Sequence, residues 1–232
     1  MRGRLFIRKP YLKMKETEKN LDSIESFEEA FEWMYKKSKK YMTLMHYYKC
    51  AMMEVETKLN VLNEEYSITF DRNPINNIQS RLKRPESIKE KLERNGHRMS
   101  IDSIEKNILD VAGIRVICMF EGDVYSIASA LLKQDDVTLI TKKDYIASPK
   151  PNGYRSLHLI ISVPIFLSDE KRDMPVEIQL RTVAMDCWAS LEHQLRYKKN
   201  NEFTEEMERE LLLCAQMSAD LDHRMDDLRL LV

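Results

Sequence analysis

The chain has 232 residues, enough to bury a substantial core as one domain with helical additions rather than two. Its 37 Lys and Arg are balanced by 38 Asp and Glu to a net charge of −1, which excludes the global basic field of a DNA- or RNA-wrapping protein. Four widely spaced cysteines (Cys50, Cys118, Cys187, Cys214) without a C-x-x-C pair argue against a disulfide framework or a zinc site, and no apolar run approaches membrane-spanning length.

Residues 1–22 read as a loosely held arm. Ser26-x-x-Glu29 is a capping-box signature ahead of a long helical pattern. In that pattern Phe27, Phe31, Met34, Tyr41, Met45, Tyr48, Met52, Val55, Leu59 and Leu62 recur at helical spacing, with a break near Ser38. Asn73-Pro74 ends it. Residues 79–98 are distinctly basic. Pro85 suits a first helical turn and Gly96 a stop, which predicts a short helix over 85–95. Ser87, Lys91 and Arg94 fall on one face of it, with Arg81 and Lys83 just before. Cations beginning at a helix N-terminus suit phosphate; the interleaved Glu86, Glu90 and Glu93 equally suit a solvated charged helix.

A second short helix is expected over 101–108. Asp110-Val-Ala-Gly-Ile-Arg115-Val-Ile-Cys-Met-Phe120 is nearly continuous in apolar residues and reads as a central strand with Asp110 at its mouth. An amphipathic helix at 123–134 and a strand at 137–145 follow. In Lys150-Pro-Asn-Gly-Tyr-Arg-Ser-Leu-His158 a turn feeds an alternating run. Period two sends Tyr154, Ser156 and His158 to one face and Leu157, Leu159, Ile161 and Val163 to the other. After a charged hairpin loop at 166–173, Met174–Thr182 alternates again, with Val176, Ile178 and Leu180 against Glu177, Gln179 and Arg181. Two such strands describe a sheet packed on helices with its polar face open to a ligand. Were Asp110 and Glu177 to meet in space, the pair would suit a hard cation sharing waters and phosphate oxygens.

The helix expected over 182–199 turns Met185, Trp188, Leu191 and Leu195 inward. In the helical tail from Phe203, Leu211, Cys214, Ser218, Leu221, Met225, Leu228 and Val232 step by three and four residues. That stripe either folds back on the domain or packs against another subunit. Only five glycines are present, and the Walker, Rossmann and kinase glycine loops are all absent. A nucleotide would have to be held by side chains.

Four motifs occur together: Asp110-x-Ala-Gly-x-Arg115, Gly153-Tyr-Arg-Ser-x-His158, Val176-Glu-Ile-Gln-x-Arg181-Thr and Trp188-Ala-x-x-Glu-His193. In order and spacing the chain resembles the RelA/SpoT-type synthetase domain, and in particular the small alarmone synthetases of the RelP/RelQ kind that serve the stringent response. The resemblance is tight over about 75–200. It implies an α+β fold of the nucleotidyltransferase-like synthetase type, with a mixed, largely antiparallel sheet of about five strands flanked by helices and long N- and C-terminal helices. The domain division would be an arm at 1–22, a catalytic domain at 23–200 and a C-terminal helical oligomerisation segment at 201–232.

The implied activity is transfer of the β,γ-diphosphate of ATP to the ribose 3′-OH of GDP or GTP, releasing AMP. With no His-Asp dipeptide for a hydrolase centre, synthesis alone is expected. By the same resemblance Asp110 and Glu177 hold magnesium, with Glu177 a late proton acceptor in second place. Lys83, Ser87, Lys91 and Arg94 grip the phosphate chain, and Arg81 and Arg115 sandwich adenine. Tyr154 stacks on guanine, Lys150, His158 and Gln179 orient that nucleotide, and Lys143 meets its phosphates. The family pattern has Asn where Asp186 stands here, which leaves Asp186 either meeting the base or lying on helix surface. A cytoplasmic homotetramer is implied, with no membrane or DNA partner. The alternatives are a same-fold enzyme acting on the 3′ end of transfer RNA and a catalytically silent nucleotide-binding oligomer.

Overall fold

The computed structural model describes residues 26–197 and 203–231; the arm at 1–22, the residues joining the last two helices, and Val232 lie outside that range. The element order is α1 (Phe27–Lys37), α2 (Lys39–Phe70), β1 (Ile75–Leu82), α3 (Pro85–Arg94), α4 (Ile101–Asn107), β2 (Ala112–Cys118), α5 (Glu121–Leu132), β3 (Thr138–Asp144), β4 (Leu157–Phe166), β5 (Lys171–Thr182), α6 (Val183–Tyr197) and α7 (Glu205–Arg229).

The expected helical break falls at Ser38, which serves two helices at once. Its backbone N–H closes α1 on the Met34 carbonyl at 3.2 Å, while its hydroxyl accepts from the Tyr41 N–H at 3.3 Å and opens α2. The 32 residues of α2 then run beneath the sheet with Tyr41, Leu44, Tyr48, Val55 and Leu59 buried, the periodicity the sequence displays. Val116, Leu157, Leu159, Ile161, Val176, Ile178 and Leu180 form the sheet side of the same core.

Five strands pair in the order β1-β2-β5-β4-β3. The β2–β5 pair is parallel and the other three are antiparallel, so the sheet is mixed and largely antiparallel as expected. Residues 75–82, expected only as the approach to a basic segment, are its first strand. Its apolar residues Ile75, Ile78 and Leu82 step by three and four because the register shifts between Ile75 and Asn77, and as an edge strand it buries Ile75 alone. The charged hairpin is tighter than 166–173: β4 continues to Phe166 and β5 begins at Lys171, closed by the Leu167 N–H on the Glu170 carbonyl at 2.8 Å. Ser156 is not on the open face. The chain is still turning before β4, and the hydroxyl is buried, donating to the Leu180 carbonyl at 3.0 Å.

The tail folds back on the domain, but not through its heptad stripe. Ala215 and Asp222 face inward, whereas Leu221, Met225 and Leu228 are about half exposed. Trp188 donates its indole N–H to the Leu211 carbonyl at 2.9 Å, joining α6 to α7. Leu191 and Leu195, expected inward, are exposed, because α6 buries only Met185, Trp188 and Ala189, in its first half. At the far end Asp123, 1% exposed, takes a bidentate pair from Arg72 at 2.6 and 2.8 Å and faces Arg229 at 3.6 Å. One carboxylate thus ties the segment after α2 to α5 and to the last turn of α7.

Removing one partner of such a buried pair leaves a charge uncompensated. Asp123→Ala is expected to lower the unfolding free energy by about 3 kcal/mol, discounted for the part-exposed arginines. Urea denaturation checks this; a loss under about 1 kcal/mol would mean the ion pair does not hold these elements together.

Candidate active site

The site begins where β1 ends. The Lys83 N–H donates to the Val111 carbonyl at 2.8 Å, which sets its side chain beside Asp110 in the turn before β2. Lys83 Nζ lies 2.7 Å from Asp110 Oδ2, and Lys91 Nζ, from α3, lies 2.9 Å from the same oxygen. Burial pushes the Asp110 carboxyl up, but the two ammonium groups outweigh it and hold the pKa below the ordinary value. The other oxygen, Oδ1, is buried and accepts no hydrogen bond from the described residues.

The parallel pairing of β2 with β5 brings the second carboxylate. Arg81 sits opposite Gly113, and Gly113 opposite Glu177. With no side chain at position 113, the space between Arg81 and Glu177 stays open. It is a cavity of about 200 Å³ lined by Arg81, Lys83, Asp110, Arg115, Glu177 and Gln179. Among the described residues no three His, Cys, Asp or Glu could hold a metal by themselves. Two carboxylates, one with an unused oxygen, in a cavity of cationic side chains suit a hard divalent cation whose remaining ligands are waters and phosphate oxygens.

The next row crosses the whole sheet: Gln79, Arg115, Gln179, His158 and Lys143 are register partners on β1, β2, β5, β4 and β3. Beyond it lies Tyr154, held by the turn before β4. The Gly153 N–H closes on the Lys150 carbonyl at 2.8 Å, Gly153 has φ +87°, and Asn152 Oδ1 accepts from the Tyr154 N–H at 3.2 Å. The Tyr154 hydroxyl meets His158 Nε2 at 2.8 Å, and Lys150 Nζ lies 4.7 Å from the centres of both the Tyr154 and Tyr145 rings. His158 Nδ1 is 3.9 Å from Glu177 Oε1, so the aromatic cluster adjoins the carboxylate cavity.

Of the sequence-derived candidates, Arg81, Lys83, Asp110, Arg115, Glu177 and Gln179 line one cavity, Lys91 reaches it through Asp110, and Lys143, Lys150, Tyr154 and His158 form the adjoining face. Ser87, half-buried in the first turn of α3, and Arg94, exposed in its last, do not line the cavity. Arg181, present in the third motif but given no role there, joins both parts. It is 5% exposed and donates to the Tyr154 hydroxyl at 2.7 Å, Gln179 Oε1 at 3.0 Å and Asp186 Oδ1 at 3.2 Å. Asp186 also lies 3.4 Å from Arg115, so it is not bare helix surface but a carboxylate between two guanidinium groups. Tyr145, unmarked in sequence beyond ending a strand, stands edge-on to His158 with ring centres 5.3 Å apart.

Residues 80–202 match the family described as a region found in RelA / SpoT proteins. The chain is 42% identical over 178 residues to the GTP pyrophosphokinase YwaC of Bacillus subtilis (strain 168), covering 77% of this chain and 85% of that protein. Its structure is similar to that of small alarmone synthetase 2 from Bacillus subtilis, with a TM-score of 0.76 and 39% identity over 84% of this chain and all of the other. It is also similar to small alarmone synthetase 1 from Bacillus subtilis bound to its product pppGpp, with a TM-score of 0.75 and 32% identity over 84% of this chain and 99% of that one.

Burial, together with Arg181, Lys150 and Lys143, lowers the His158 pKa from 6.5 to about 4, so the imidazole is neutral at pH 7. Because the unfolded chain takes up this proton at higher pH, the stability associated with neutral His158 is complete above its ordinary pKa. It is lost as pH falls toward 4. An NMR titration of the ring is expected to give a midpoint near 4. A midpoint at the ordinary value would contradict this packing.

Proposed function

The chain belongs to the RelA/SpoT family, and on that premise we propose that it is a GTP pyrophosphokinase of the small alarmone synthetase kind. It moves the β,γ-diphosphate of ATP to the ribose 3′-OH of GDP or GTP, releasing AMP and forming guanosine tetra- or pentaphosphate. One observation carries the reading: the Asp110–Glu177 cavity opens beside the Tyr154–His158 face, joined through Arg181 and the register row of Arg115 and Gln179. Donor and acceptor nucleotides bound on these two parts would meet at the carboxylates.

ATP lies on the β1–β2 side. Arg81 and Arg115 offer planar guanidinium faces to adenine, and Lys83 and Lys91, with Ser87 and Arg94 on α3, receive its phosphates. A divalent cation, magnesium in this reading, would sit between Asp110 and Glu177 and neutralise charge on the phosphate oxygens. The guanine nucleotide lies on the other side, with Tyr154 against the base, Lys150, His158 and Gln179 orienting it and Lys143 toward its phosphates. Neutral His158 contributes a hydrogen bond rather than a charge. Attack by the 3′-oxygen forms a bond to the β-phosphorus of ATP. The bond to the α,β-bridging oxygen breaks, and AMP leaves with the electron pair. The 3′ proton departs late, to Glu177, since a carboxylate is a weak base for a sugar hydroxyl and the chain works mainly by positioning.

We also assign the chain a homotetramer of identical subunits. An open apolar groove of about 950 Å³ between α6 and α7, lined by Trp188, Leu191, Met217, Leu221 and Met225, supports contact between copies. No helix of the described residues is long and apolar enough to cross a membrane.

Purified protein given ATP and GDP or GTP with magnesium is expected to release AMP and one 3′-pyrophosphorylated guanine nucleotide in equal amounts. A chelator should stop the reaction and magnesium restore it. Asp110→Asn and Glu177→Gln should each lower turnover about a thousandfold; unchanged rates in both would end this reading of the site. Light scattering at micromolar concentration is expected to give four times the chain mass, and a monomer mass would refute the assembly.

A further inference from the structure

Behind the Tyr154 face stands α7, and buried polar contacts add to the packing of Tyr154 on Trp188, Ala189 and Ala215. Tyr154 and Arg181 meet in front, hydroxyl to guanidinium at 2.7 Å. Their C-terminal neighbours, Arg155 and Thr182, turn to the rear, and both end on the same atom of α7. Arg155 Nη1 donates to Asp222 Oδ2 at 3.2 Å, and the Thr182 hydroxyl donates to that oxygen at 2.9 Å. Arg155, Thr182 and Asp222 are all buried, and Glu121 takes the other end of the guanidinium at 2.6 Å. Thr182 also accepts from the Met185 N–H at 3.1 Å, so the same hydroxyl starts α6, which carries Asp186. In addition Gly153, the residue before Tyr154, lies flat on α7: a Cβ there would come within 2.4 Å of the Ala215 Cβ.

We propose that Asp222 is a positioning residue for the guanine-nucleotide subsite, fixing Tyr154 through Arg155 and Arg181 through Thr182. The proposal rests on the reading of Tyr154 as the platform for that nucleotide. Two segments distant in sequence, the turn before β4 and the end of β5, must keep a hydroxyl and a guanidinium within hydrogen-bond reach. One buried carboxylate oxygen pins both. The carboxylate cavity has no member on α7; the pin reaches it at second hand, through the bonds of Arg181 to Gln179 and Asp186, so the larger effect falls on the guanine-nucleotide side.

Steady-state kinetics and equilibrium dialysis with GDP test this on the full chain, comparing wild type with Asp222→Ala and Asp222→Asn. The alanine variant is expected to raise the KM and Kd for GDP about tenfold, as for loss of a hydrogen-bonded charged group, with the KM for ATP within about twofold of wild type. The asparagine variant keeps an acceptor oxygen and should recover most of the GDP affinity. Unchanged GDP constants in folded variants, or equal rises for GDP and ATP, would overturn the proposal. If the alanine variant fails to fold, Arg155→Lys decides: it must show a smaller shift confined to GDP, and no shift overturns the proposal. Wild-type protein that neither binds GDP nor makes AMP would remove the functional reading and this proposal together. Normal wild-type behaviour with unaltered variants removes this proposal alone.

Discussion

The register between β2 and β5 is the constraint from which the site follows. Two parallel strands, separated in sequence by a helix and two other strands, place Gly113 opposite Glu177 and Arg115 opposite Gln179. A slip of one residue would turn every side chain of β5 to the other face, burying Glu177, Gln179 and Arg181 among leucines and exposing Val176, Ile178 and Leu180. The apolar face packed on α2 therefore enforces the polar face above it. Core burial and site geometry are two readings of one alignment.

On that polar face the cations and carboxylates are interleaved so that most are partnered across the site. Asp110 is shared by Lys83 and Lys91, Asp186 by Arg115 and Arg181, and Arg181 extends to Tyr154 and Gln179. Such a lattice holds the side chains in place against one another, while Asp110 Oδ1 keeps a buried oxygen unused. Burial first, and then the concentration of positive charge, lowers the pKa values of His158 and Arg115, and the imidazole stays neutral.

Much of this was legible before any coordinates. The period-two runs of β4 and β5 name their faces, the capping box at Ser26 and the break near Ser38 mark the helix starts, and four motifs mark the site. The residues that escaped did so for physical reasons. Strand β1 has a bulge and only one buried side chain, so its apolar spacing imitates a helix. Arg181 stands in a motif, but its partners Tyr154, Gln179 and Asp186 come together only in the fold. Tyr145 follows a strand on a sheet edge, and its place beside His158 depends on pairing between β3 and β4. The heptad pattern of α7 is real in sequence, but the helix docks through Ala215 and Asp222 on the neighbouring face.

The approach of Gly153 to Ala215 has a consequence for how this protein can diverge. The loop residue is fixed as glycine twice over, by its positive φ and by the helix beneath it. Position 215 inherits the second restriction, since a larger side chain there would lift the loop as surely as one at 153. The terminal helix is therefore not free to drift as an appendage would. Its inward face evolves under the same restraint as the loop it carries.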